Sequence, residues 1–141
     1  MFKKNIDKVI MHCSATPDET NPRKRWYKLD IEEVRQWHKA RGWRDVGYHL
    51  FIKRNGTIQY GRKIGAKGAH TLGENHNIGV CYAGMSEPTD KQKKAMRRIM
   101  EVVRKVHGLS LFDWHCHSEF ANKECPGFSR VTLHNILKGE I

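Results

Sequence analysis

A chain of 141 residues is long enough for one hydrophobic core and too short to divide comfortably into two. With 38% hydrophobic and 29% charged residues and a mean hydropathy of -0.72, it has a globular composition rather than a disordered or membrane-embedded one, and no apolar run approaches the roughly 18–20 residues of a membrane span. The 26 Lys and Arg against 15 Asp and Glu give a net charge of +11, which favours an anionic partner (nucleic acid, lipid surface or acidic wall polymer) without choosing among them.

The opening "MFKKNIDKVIMHC" has two lysines, a broken apolar segment and no small-residue cleavage site, so it does not read as a secretory signal. The chain is expected to stay in the cytoplasm where it is made, as a single domain over residues 1–141. Its four cysteines, Cys13, Cys81, Cys116 and Cys125, are then expected to be reduced, which favours burial or metal binding over cross-linking.

Along the chain, "DKVIMHC" carries Val9, Ile10 and Met11 in a short apolar run and predicts a buried strand ending at His12. A polar, proline-bearing loop follows. "DIEEVRQWHKARG" places Ile31, Val34, Trp37 and His38 on one helical face, with Asp30 as N-cap, Glu33 three residues later and Gly42 as a stop. "GYHLFIKRNGTIQYGR" reads as strands over 48–53 and 57–60 around an Asn55-Gly56 turn, the strongest short hairpin signal. A loop rich in Gly and His leads into another buried strand, "IGVCYAG". From Thr89, a capping box with Gln92 opens a helix with Ala95, Ile99, Val102, Val103 and Val106 at helical spacing, stopped by Gly108. An extended piece around "SLFDWH" and a C-terminal helix in "SRVTLHNILKG" complete an order that predicts an α/β fold, a mixed central sheet flanked by helices.

The stretch "HSEFANKECPGF" sets His117 and Cys125 eight residues apart, in a loop that turns at Pro126. With His12 from the first strand, these would form a His, His, Cys set. Zinc takes such ligands tetrahedrally, and three protein ligands leave a fourth position for water or substrate, the pattern of catalytic rather than structural sites. Nine histidines and four cysteines make such a triad easy to draw by chance. His12 as a core histidine, Cys125 as a buried thiol and Lys123 as a solvated charge are the competing readings. Another is a thiol hydrolase with Cys125 as nucleophile and His117 as base.

Taken together, "VIMHCSAT", "VRQWHKARGWRDVGYHLFIKRNGTIQYGR", "GAHTLGENHNIGVCYAG" and "HSEFANKECPGF" resemble the zinc-dependent N-acetylmuramoyl-L-alanine amidases of type 2, which share their fold with peptidoglycan-recognition proteins, and above all the phage members of that family. The resemblance covers roughly residues 8–130. It implies Zn2+ on His12, His117 and Cys125, catalytic roles for Tyr48 and Lys123, and substrate contacts from His70, Asn75 and Asn77 in a loop bordering the groove. Loop-building by Gly and Asn is the alternative for the last three. It further implies a phage endolysin, acting as a monomer on peptidoglycan with no direct nucleic-acid contact; the lack of a secretory signal suggests release from the host cytoplasm through a membrane pore made by another protein. A regulator of a phage RNA polymerase and a non-catalytic peptidoglycan-binding module are the alternatives. Phage members bind their polymerase with a longer N-terminal arm than residues 1–7 supply here, and the loop near "ENHNIG" is one residue shorter than theirs. His38, His49 and His76 are expected to be structural or superficial, Trp37 and Trp43 to pack the first helix, Cys13 and Cys81 to lie in the core, and Cys116 to point away from His117.

Overall fold

The computed structural model describes residues 5–141. In chain order its elements are β1 (Val9–Cys13), α1 (Ile31–Ala40), β2 (Leu50–Ile52), β3 (Ile58–Tyr60), β4 (Ile78–Tyr82), α2 (Asp90–His107), β5 (Trp114–Cys116) and α3 (Arg130–Lys138). The five strands form one mixed sheet in the order β3-β2-β4-β1-β5, with only the β2–β3 hairpin antiparallel. The central strands β1 and β4 run in register from Val9 opposite Ile78 to Cys13 opposite Tyr82, and every residue of both is buried. Such strands are apolar on both faces because helices cover both.

The helices begin and end where their caps dictate. The Asp30 carboxylate accepts the Glu33 backbone N–H at 3.1 Å, Thr89 and Gln92 form a reciprocal capping box, and Gly108 closes α2 in the left-handed conformation at φ +68°. The hairpin turns at Gly56 with φ +87°, while Asn55 Oδ1 accepts the Thr57 N–H at 3.0 Å. Two elements are shorter than expected. The strand predicted over 48–53 has regular pairing only at Leu50–Ile52. In "SLFDWH", residues Leu111–Asp113 coil into a 3₁₀ turn, because the Ser110 side chain accepts the Phe112 N–H and the Asp113 carboxylate accepts the Ser110 N–H; local bonds of this kind outcompete strand pairing.

The two faces of the sheet are covered unequally. Val9, Met11, Leu50, Ile52, Ile78, Val80 and Tyr82 pack against Ala95, Met96, Ile99 and Val103 of α2 and Leu133, Ile136 and Leu137 of α3. On the other face α1 alone, through Ile31 and Val34, covers Phe51 and Cys81. Because side chains alternate along β1, His12 points to this second face, where loops rather than a second helix complete the cover.

Arg54, just past β2, is a buried cation at 1% exposure. Its guanidinium donates to the carbonyls of Glu19, Ala83 and Glu87 and to Gln92 Oε1, at 2.9–3.1 Å, and Gln92 Nε2 in turn donates to the carbonyls of Ile52 and Ala83. One side chain thus ties the loop after β1, the end of β4 and the start of α2 to β2. Arg54→Met leaves several buried acceptors unpaired and is expected to lower stability by about 3 kcal/mol, read as a fall in the urea midpoint.

Candidate metal centre and its cleft

Parallel pairing of β1 with β5 places Met11 beside Cys116, so His12 and His117, each one residue further on, leave neighbouring strands at the same level. Cys125 returns to this point because the loop after β5 is tied to itself and to the sheet. The Ser118 N–H donates to the Cys125 carbonyl at 2.9 Å, and the buried Tyr82 hydroxyl donates to the Pro126 carbonyl at 2.7 Å. Gly127, at φ +90°, lies so close to the Met85 carbonyl that an added Cβ would stand 1.9 Å from its oxygen.

The donor atoms of His12, His117 and Cys125 all lie within 4.8 Å of one another, and Cys125 Sγ is 3.9 Å from His12 Nδ1. Tetrahedral zinc with ordinary ligand lengths sets nitrogen and sulfur about 3.6 Å apart, so the triad fits a metal ion with little movement. Its protonation fits as well. Burial, followed by the neighbouring His70, His117 and Lys123, holds His12 far below its usual pKa; burial and then Lys123 lower His117. Both rings are therefore neutral near pH 7, with lone pairs available to a metal. The adjacent Cys13 thiol and then burial push the Cys125 thiol up, so a thiolate there needs a cation, and a free nucleophilic cysteine is disfavoured. The Cys13 N–H already points at Cys125 Sγ from 3.1 Å.

The triad forms the floor of a cleft of about 290 Å³ whose walls include Tyr48, Lys123, His38, Arg41 and Trp43. A larger hollow of about 880 Å³, bordered by Met85, Glu124 and Phe128, adjoins it across Ala15, Lys123 and Cys125, which leaves room for an extended ligand. The Tyr48 ring lies 5.2 Å from that of His12, and burial above all raises its pKa well above 10, so it stays a hydrogen-bond donor. Lys123 is exposed at the rim, where it lowers the pKa of both histidines.

Of the three residues expected to contact substrate, His70 lines the cleft and Asn75 and Asn77 do not. Asn75 Oδ1 accepts the N–H groups of His70 and Thr71 at 2.8 Å, folding the turn between them. Asn77 is fully buried; its Oδ1 accepts the N–H groups of Asp7 and Lys8, and its Nδ2 donates to Glu74. Neither lines the cleft; the Oδ1 of each is committed to backbone N–H groups. His70 does reach the cleft, but it is buried and turned inward. Conversely, His38 and Trp43, expected only to pack, stack at 4.6 Å and form cleft wall. His38 Nδ1 accepts the Gly47 N–H at 2.8 Å, so that wall is anchored to the residue before Tyr48. Cys13, Cys81 and Cys116 are buried, with Cys116 Sγ directed to the Phe128 carbonyl.

Burial, followed by Arg41 and Arg62, lowers the His38 pKa from 6.5 to about 4. The unfolded chain therefore takes up a proton that the folded chain refuses. The stability of the metal-free protein is expected to be full above pH 6.5 and to fall as pH drops toward 4, by roughly 3 kcal/mol for this histidine at the acid end. Urea midpoints measured at pH 7, 6 and 5 check the direction.

A family model described as N-acetylmuramoyl-L-alanine amidase matches residues 2–128. The endolysin of Escherichia phage T7 is 38% identical over 136 residues, covering 89% of this chain and 83% of its own. The endolysin of Enterobacteria phage T3 is 38% identical over 130 residues, covering 85% and 80%. Among solved structures, the amidase LysC from Clostridium intestinale URNW superposes with a TM-score of 0.79 at 22% identity, covering 96% of this chain and 86% of its own, a likeness of fold. Bumblebee PGRP-SA gives 0.78 at 26% identity, covering 92% and 81%. With its mixed sheet, its helical layers and a His, His, Cys cluster on the less covered face, the chain belongs to the N-acetylmuramoyl-L-alanine amidase family.

Proposed function

We propose that the protein is a phage-type endolysin that hydrolyses the amide joining the lactyl group of N-acetylmuramic acid to L-alanine in bacterial peptidoglycan, with zinc held by His12, His117 and Cys125. The observation that carries this reading is the convergence of those three donors within 4.8 Å at the floor of a cleft in a chain of this family. Zinc, when bound there, supplies Lewis-acid polarisation of a carbonyl and a water acidic enough to deprotonate near neutral pH.

The chain's own groups do the rest. In the hydrolysis, water oxygen bonds to the acyl carbon, the C–N bond breaks, and the amine of alanine leaves carrying a proton. The Lys123 ammonium, at the rim beside both histidines, stabilises the negative charge that gathers on the acyl oxygen. The Tyr48 phenol, kept protonated by burial and set in the cleft wall, would donate a hydrogen bond to that same charge. Tyr48→Phe is expected to leave zinc content unchanged and slow turnover about 10- to 100-fold, the worth of one hydrogen bond to developing charge; metal analysis and single-turnover rates on peptidoglycan fragments check both halves.

The excess of cations, +11 overall, suits an anionic cell wall. Passage from the host cytoplasm through a pore made by another protein belongs to this reading; among the described residues no helix is long and apolar enough to cross a membrane. The arm that would bear on a polymerase partner begins with residues 1–4, which lie outside the described residues. Digestion of purified peptidoglycan tests the assignment: new alanine amino termini without new reducing sugar ends are expected, and sugar ends would instead make the enzyme a glycosidase.

A further inference from the structure

His70 stands behind His12, on the side away from Cys125. Its Nδ1 is 3.1 Å from His12 Nε2, and its own Nε2 is 3.0 Å from the backbone carbonyl of Asn77. A carbonyl only accepts, so His70 Nε2 carries a proton. In a neutral buried ring that leaves a lone pair on Nδ1, and the short contact to His12 then requires the proton between them to sit on His12 Nε2. The Thr71 hydroxyl closes the triangle, 3.0 Å from His70 Nδ1 and 3.3 Å from His12 Nε2. It can donate to His70 and accept from His12, and in that arrangement too His12 Nε2 is the donor. The remaining nitrogen of His12, Nδ1, faces Cys125 with its lone pair free.

Packing fixes the ring that sets this tautomer. A Cβ at Gly79 would stand 2.5 Å from His70 Cδ2, and one at Gly68 would stand 2.7 Å away, so the imidazole occupies a slot that only glycines leave open. Behind it the His49 ring lies 5.6 Å away, edge-on. His49 is held in turn, because its Nδ1 accepts the Gly79 N–H at 3.0 Å and its Nε2 donates to the Ala66 carbonyl at 2.8 Å.

We infer that His70 is a positioning residue for the metal ligand His12: by accepting the Nε2 proton it fixes the ring and the tautomer that turn Nδ1 toward Cys125 and His117. The inference rests on the reading of His12, His117 and Cys125 as a metal site. A ligand whose far nitrogen donates a hydrogen bond is more basic and has less orientation to lose when metal binds; such partners are worth about 10- to 100-fold in metal affinity.

The test compares wild type, His70→Phe and His70→Gln. Phenylalanine fills the slot without an acceptor, whereas glutamine offers a carbonyl to His12 and an amide N–H to Asn77. Zinc affinity by competition with a chromophoric chelator is expected to fall about 10- to 100-fold in His70→Phe and to recover in large part in His70→Gln. The cobalt-substituted spectrum is expected to shift in the first and return toward wild type in the second. A folded His70→Phe with wild-type affinity and spectrum would overturn the assignment. A second measurement needs no variant: 15N shifts of the His12 ring in zinc-free wild type are expected to give the Nε2–H tautomer, and an Nδ1–H tautomer would overturn the assignment even if His70→Phe did not fold. Wild type that binds no zinc would overturn the metal reading and the assignment that rests on it, whereas an Nδ1–H tautomer in wild type that does bind zinc would overturn the assignment alone.

Discussion

Cys125→Ser is expected to lose bound zinc and amidase activity together, with cleavage falling by more than about 100-fold, beyond the 10- to 100-fold typical of losing an outer-sphere partner. Cys125 supplies the only anionic donor of the three, and a serine hydroxyl stays protonated where the thiol ionises on metal binding. Because metal bound only by the folded state stabilises it, the variant should also lose the rise in melting temperature that zinc gives wild type. Cys125→Asp restores an anionic ligand and is expected to regain part of both properties. A thiol-nucleophile enzyme would behave differently: its activity would be indifferent to zinc, and aspartate would rescue nothing. Metal content and amino-terminus release, measured on the same preparations, separate the two.

The second large effect falls on Lys123. Lys123→Ala is expected to fold and to bind zinc like wild type while turnover drops by about 10²–10³, the usual cost of removing one group that stabilises an oxyanion. The side chain is exposed and takes no part in the core, so the fold does not depend on it. Its charge lowers the pKa of both His12 and His117, which places it within electrostatic reach of any charge developing at the metal site. Removing it relieves that repulsion and should, if anything, strengthen metal binding. Lys123→Arg keeps the charge with different geometry and should fall between the two. Normal turnover in Lys123→Ala, measured at saturating substrate, would remove the residue from the mechanism.

Much of this architecture was legible because its signals are local. The Asp30 and Thr89 caps, the Gly108 stop and the Asn55-Gly56 turn each act within a few residues, and each appears where the pattern put it. The extended reading of "SLFDWH" failed for an equally local reason, since Ser110 and Asp113 bind neighbouring backbone and coil the chain. The metal triad is a different case. Its spacing in the chain is uninformative, and only the parallel pairing of β1 with β5, together with the tie between Ser118 and Cys125, brings the donors together. Resemblance to a family supplied what spacing could not.

What the sequence concealed is the direction in which loop side chains point. "GAHTLGENHN" suggested a rim of hydrogen-bonding groups facing substrate. In the fold Asn75 and Asn77 hold backbone, and His70 turns in over Gly79. That inward turn depends on a glycine nine residues later, in a strand whose own pattern reads simply as buried. His38 lies on the apolar face of the first helix and Trp43 just past its stop, where packing is the plain expectation; they do pack, against each other, and together form part of the cleft wall. Arg54, at a hairpin where charge is usually solvated, is buried because four acceptors from distant segments surround it.

Whether His12, His117 and Cys125 hold a zinc ion needed to cut the amide is decided by following metal and product on one sample. Purified protein would be analysed for zinc and for alanine amino termini released from peptidoglycan, first as isolated, then after chelation, then after zinc is returned. One zinc per chain, loss of amino-terminus release with the metal, and recovery of both together are expected. Undiminished release from protein shown to be free of metal would contradict the need for zinc.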